Sequence, residues 1–141
     1  MERSEYLKII FRNELRQSRD KDKQEDNEMP FIDSKIAGAV TPEQKEKIKS
    51  KLGKAVSLLN KSETYLMVGI EDNYDLYMAG QKLDKGVYVS VSLFGNASSS
   101  AYEKMTEEIC QIYADELDIP GTAIYVTYHG VNDWGWNGSN F

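Results

Sequence analysis

GVYVSVSLFG, residues 86–95, alternates Val87, Val89, Val91 and Leu93 with residues of the opposite set and is bounded by glycines. Side chains of a strand point to opposite faces with a period of two, so this run predicts a strand with one buried face. Ser98 to Ser100 follow as caps for a helix whose apolar face is Tyr102, Met105, Ile109, Ile112, Tyr113 and Leu117. Pro120-Gly121 ends it, and TAIYVTYH, residues 122–129, predicts the next strand. The same order occurs upstream. PFIDSKIA, from residue 30, reads as a strand that proline can start because an end position need not donate a ladder hydrogen bond. Thr41, Pro42 and Gln44 form a helix start with a capping box. Ile48, Leu52, Ala55, Val56 and Leu59 give one apolar face as far as about Asn60, and TYLMVGI, residues 64–70, predicts a buried strand. After the last long strand, GVNDWGWNGSNF predicts turns around one short strand.

The expected fold is therefore α/β: two β-α-β units forming one four-stranded mixed sheet, with two helices on one face. The other face would be left bare. An apolar bare face must find cover, which predicts self-association, and cyclic assembly gives it through one repeated contact.

The whole chain has 141 residues, 40% hydrophobic and 28% charged, with a net charge of −6. That suits one domain. A negative surface repels phosphate backbones, so nucleic acid is not an expected partner. Cys110 is the only cysteine, which excludes an internal disulfide. His129 is the only histidine and has no spaced carboxylate partner, so no metal and no cofactor are expected. No apolar run reaches the roughly 20 residues that span a bilayer, and no signal peptide is visible. No membrane partner and a cytoplasmic location are expected.

Composition changes at residue 29. All four arginines, Arg3, Arg12, Arg16 and Arg19, precede it, and ten lysines but no arginine follow. Fifteen charges fall in the first 28 residues, too many for a stretch that must order itself by burial. Leu7, Ile10, Phe11 and Leu15 could line one short helix there. Residues 1–28 are expected to be a disordered or non-native extension, and residues 29–141 the domain. A docking arm and an expression remnant stay open beside a start at Met29. Gln24-Glu25-Asp26 can be encoded by a purine-rich ribosome-binding sequence just upstream of the Met29 codon.

MPFI at 29–32, the lysine after the first helix, and IYVTY with WGWNGSNF at the C-terminus together resemble the tautomerase superfamily, specifically its macrophage migration inhibitory factor branch. The resemblance covers residues 29–141. It implies a homotrimer of β-α-β repeats and cofactor-independent keto–enol tautomerisation of a small keto acid. It implies that Pro30 is the catalytic base once Met29 is removed, that Lys61 is the pocket lysine, and that Tyr125 reaches in from a neighbouring subunit. The Phe94 N–H would hold the substrate oxygen, and Trp136 and Phe141 would form an aromatic wall. Thr127 stands where an asparagine is common, and Trp134 where a valine is common. The cysteine pair of the mammalian cytokine is absent. Relatives that hydrate or dehalogenate unsaturated acids rely on arginines beside the proline, and no residue after Arg19 supplies one.

The residues fit that chemistry. A terminal proline is a secondary amine, whereas an internal one is an amide without a basic nitrogen. An ordinary α-amine titrates at about 7.7–8.0, and burial against Tyr65, Tyr125, Trp136 and Phe141 would lower that of Pro30. The Lys61 ammonium would lower it further and could bind a carboxylate. Aromatic walls favour an aryl group, hence a phenylpyruvate-like substrate. If residues 1–28 are retained, the expected alternative is an inactive trimeric binding or signalling protein.

Overall fold

The structure is a computed structural model that describes residues 29–141; the short helix expected around Leu7 to Leu15 lies outside them. Strand β1, Pro30–Ala37, leads into helix α1, Pro42–Ala55. The capping box is present. The Thr41 hydroxyl oxygen accepts from the Gln44 N–H at 3.1 Å, and the Gln44 side-chain oxygen accepts from the Thr41 N–H at 2.9 Å. Val56–Leu59 tightens into a 3₁₀ turn that finishes the apolar face. The chain then passes through Met67–Glu71 (β2), a hairpin of Tyr77–Met78 (β3) and Gln81–Lys82 (β4), and Gly86–Phe94 (β5). Helix α2, Ser99–Leu117, starts with the Ser98 hydroxyl capping Ala101 and ends at Asp118 in the left-handed conformation. Ile124–Val131 (β6) and a second hairpin, Gly135–Trp136 (β7) with Ser139–Asn140 (β8), complete the chain.

The main sheet runs β2-β1-β5-β6. Strands β1 and β2 are parallel, β1 and β5 antiparallel, and β5 and β6 parallel. This is the expected pair of β-α-β units, joined through the β1–β5 ladder. Both helices cover one face and pack on each other. Ile32 and Ile36, Val87, Val89, Val91 and Leu93 point into that layer against Ile48, Leu52, Met105, Ile109 and Ile112. Each large apolar side chain buried this way contributes about 1.5–3 kcal/mol before chain entropy is counted.

Three expectations need correcting. The run at 64–70 is not a buried strand. Glu63–Tyr65 is a 3₁₀ turn, and β2 is an edge strand with Met67 67% exposed. The tail is a two-stranded hairpin rather than a single strand. The uncovered sheet face is mixed rather than apolar. Period-two alternation sends most of the aliphatic set to the helices and leaves a mixed face: Asp33, Lys35, Ser90, Ser92, Thr127 and His129, with Phe31, Met67, Tyr88, Phe94, Tyr125 and Val131 among them. Lys35 pairs with Glu71 at 3.1 Å, and Thr127 joins the Tyr88 hydroxyl and His129 Nε2 at 2.7 and 2.9 Å. Such a face tolerates water, so it does not by itself require a partner.

A fully buried polar contact crosses the helix–sheet layer: the Tyr113 hydroxyl on α2 donates to Ser34 Oγ on β1. Both residues are fully buried, and burial pushes the Tyr113 phenol up to about 12. Removing one partner leaves the other hydroxyl in hydrocarbon. Tyr113→Phe should therefore destabilise the fold by about 1–3 kcal/mol. Adding Ser34→Ala should cost less than the two single changes summed, as read from denaturant midpoints in a double-mutant cycle.

Candidate active site

Pro30 lies at the first position of β1, opposite Leu93 of β5, and is buried. One step further the same ladder brings Met29 to Phe94, whose N–H donates to the Met29 carbonyl at 3.1 Å. Phe94 is fixed from two more directions. The next amide, Gly95 N–H, donates to the Val131 carbonyl at 2.8 Å, and the Lys61 ammonium donates to the Phe94 carbonyl at 3.2 Å. A side chain on Gly130 would collide with Gly95 and Asn96, so a glycine in β6 permits this close approach.

Local structure explains how Lys61 arrives. Asn60 adopts a left-handed conformation (φ 57°) after the 3₁₀ turn, and the Lys61 N–H returns to the Val56 carbonyl at 3.2 Å. This reversal closes the helix end and turns the lysine stem towards β5. Lys61 is only 4% exposed, and burial lowers its amine to about 8. No carboxylate among the described residues pairs with it. A desolvated cation satisfied by one neutral carbonyl retains donors for an incoming anion.

Beside Pro30 is an open cavity of about 610 Å³. Three segments form it: Met29–Phe31, the turn at Thr64–Met67, and Asp133–Trp136. Tyr65 and Trp136 meet edge to face at 5.7 Å, Trp136 stacks on Phe141 at 6.0 Å, and Phe141 meets Phe94 at 6.0 Å. The aromatic wall thus runs from the cavity back to the residue that Lys61 holds. The Phe141 N–H bonds the Trp134 carbonyl at 3.0 Å and fixes the chain end over the hairpin.

Of the expected residues, Pro30, Trp134 and Trp136 line the cavity; Lys61, Phe94 and Phe141 do not line it but join it through the Lys61–Phe94 hydrogen bond and the ring contacts of Phe141 with Phe94 and Trp136. The structure does not bring Tyr125 or Thr127 there. Tyr125 pairs with Tyr88, five residues before Gly130, the β6 residue level with Pro30 through Leu93. At strand spacing that is about 16 Å along the sheet. Tyr125 is 65% exposed on the uncovered face. Sequence reading missed Asp133, whose place in the cavity wall follows from the β7–β8 hairpin that it precedes, and the Met29 carbonyl on Phe94. His129 stands on the sheet face, and no cluster of metal-ligating side chains occurs among the described residues. No helix among them is long and apolar enough to cross a membrane.

Comparison with known proteins identifies the fold and the family. A structure of Leishmania major MIF2 superposes with a TM-score of 0.76 at 27% identity, covering 82% of this chain and 99% of that one. A macrophage migration inhibitory factor homologue from Prochlorococcus marinus gives 0.72 at 26% identity, covering 79% and 98%. Both relatives consist almost wholly of the unit described here. The macrophage migration inhibitory factor of Xenopus laevis is 33% identical over 54 residues, which is 37% of this chain and 44% of the frog protein. The family model for macrophage migration inhibitory factor matches residues 29–141, the entire described domain, and the chain belongs to that family.

Proposed function

We propose that the domain is a cofactor-independent keto–enol tautomerase of aryl α-keto acids such as phenylpyruvate, working as a homotrimer. The observation that carries this reading is the coincidence of a buried Pro30, a desolvated Lys61 without a carboxylate partner, and an aromatic-walled cavity at one end of the β1–β5 ladder. Once Met29 is removed, the Pro30 nitrogen becomes a secondary amine. It takes a proton from the carbon next to the keto group and returns it to the other end of the enolate system. The carbonyl oxygen gains charge in that step. The Phe94 N–H and the Lys61 ammonium are the donors available to hold it and the carboxylate. Tyr65, Trp134, Trp136 and Phe141 hold the aryl group.

Two observations favour sharing the site between copies. Tyr125 is too far along β6 to reach its own cavity, and β2 and β6 leave the two sheet edges open among the described residues. In a homotrimer Tyr125, and Thr127 beyond it, would complete a neighbour's pocket. Residues 1–28 are read as an extension to this domain. A second reading follows from Met29 itself. While it is joined to Pro30 the nitrogen is an amide, and the protein is then a trimeric binding or signalling protein without this activity.

Phenylpyruvate tautomerisation by a chain beginning at Pro30 tests the proposal. Pro30→Gly should lower kcat/KM by at least about tenfold, and blocking the nitrogen by about a hundredfold or more; unchanged rates would exclude Pro30 as the base. Lys61 is charged below its folded pKa, so carboxylate binding weakens as pH rises through it. The kcat/KM profile should fall above about pH 8, and Lys61→Gln should remove that limb along with most of the activity. Mixed assemblies of Pro30→Gly and Tyr125→Phe subunits should regain about a quarter of native sites. No recovery on mixing would place each active site within one subunit.

A further inference from the structure

The cavity wall holds a charge that the proposed reaction does not use. Of the described residues that line it, Asp133 alone carries a charged side chain, and that charge is negative. The proposed substrate is itself an anion. No hydrogen bond or ion pair among the described residues engages the Asp133 carboxylate. The backbone fixes where it stands. Pro30, Leu93 and Gly130 lie level across the sheet, and Phe94 with Val131 forms the next level, where β6 ends. The Gly95 N–H holds the Val131 carbonyl at 2.8 Å, and the Phe141 N–H holds the Trp134 carbonyl at 3.0 Å. Asn132 and Asp133 are the two residues between these anchors. The wall therefore runs from a buried proline at the sheet end to an exposed carboxylate.

Tyr65 and Trp136 stand in the same wall, 41% and 42% exposed. The face of an aromatic ring attracts cations, as a carboxylate does, and the two together discriminate strongly against an anion. A cavity of about 610 Å³ leaves room beyond a single phenyl ring. The wider field has the same sign, since residues 29–141 carry ten lysines against fifteen aspartates and glutamates. We propose that Asp133, with Tyr65 and Trp136, forms a subsite for a positively charged group on the substrate, at the opposite end from its keto acid. This rests on the reading of the cavity given above. The substrate class is then an aryl α-keto acid whose ring bears an ammonium-type cation. Like charge also keeps the substrate's own carboxylate away from Asp133, which turns the acid end towards Pro30. Asp133 touches no reacting atom; it selects and orients.

The test uses two ligands of one shape and different charge, para-trimethylammonio and para-tert-butyl benzoylformate. Neither has an enolisable hydrogen, so affinity reports binding alone. Calorimetry is done on the chain beginning at Pro30, which retains every described element, and on its Asp133→Asn variant, which keeps the side-chain shape without the charge. The native chain should bind the cationic ligand at least about fivefold more tightly than the neutral one, and Asp133→Asn should bring the two within about twofold. The matching phenylpyruvates read the same preference as kcat/KM, and dividing native by variant cancels the electronic effect of each substituent. Equal affinities in the native chain overturn the inference, as do a preference that survives Asp133→Asn, a cationic ligand that does not bind, or a variant that weakens both ligands alike. A charge preference that Asp133→Asn abolishes, without turnover of any phenylpyruvate, refutes the tautomerase reading and leaves the subsite. Turnover without a charge preference refutes the subsite and leaves the tautomerase.

Discussion

The β1–β5 ladder is the constraint on which the rest of the molecule depends. It joins the two β-α-β units, from Pro30 facing Leu93 to Ala37 facing Gly86. The first unit contributes the proline and, through the end of α1, the lysine. The second contributes Phe94 and the C-terminal aromatic hairpin. Neither unit contains a site by itself. A slip of one residue in this ladder would invert β1, putting Ile32 and Ile36 in water and Asp33 and Lys35 in the core. The aliphatic set of β5 therefore fixes the position of Pro30 as firmly as it fixes the core.

Burying Lys61 opposes stability, because the ammonium loses water and gains only one neutral carbonyl. The aliphatic stem can pack usefully, but no carboxylate among the described residues pairs with the charge. A methionine would fill the same volume at less cost to folding. Retaining a buried cation with no carboxylate partner among the described residues, on the strand end behind an aromatic cavity, is the kind of local inconsistency that functional sites show. The absence of arginine from the described residues sharpens the point. A guanidinium would stay charged at every relevant pH, whereas burial lowers this amine to about 8.

Much of this was legible in the sequence because it is local. The capping box at Thr41, the apolar stripe of α2 and the alternation at 86–95 are properties of a few consecutive residues, and each formed as they dictate. Contacts between distant segments were less accessible. TYLMVGI looked buried because it is apolar, but a strand's place in the order depends on the whole topology, and β2 is at an edge. The β3–β4 hairpin turns on Ala79 and Gly80, both with positive φ, and only the glycine half of that signal was visible. The polarity of the uncovered face was readable in principle, since Ser90 and Ser92 alternate with Val89 and Val91. The aromatic and aliphatic residues interleaved with them mask that polarity. The carbonyl of Met29 could not have been foreseen on Phe94, because backbone pairing across 65 positions leaves no mark in residue type.

The contact between Tyr113 and Ser34 acts as an alignment key. Hydrophobic layers are slippery: one aliphatic residue can replace another at modest cost, and a helix can shift over a sheet while still covering it. A phenol whose single acceptor lies on one particular residue of β1 removes that tolerance, since any sliding would strand two hydroxyls in a dry layer. Ser34 lies four positions after Pro30, so the helix layer sets the address at which β1 begins.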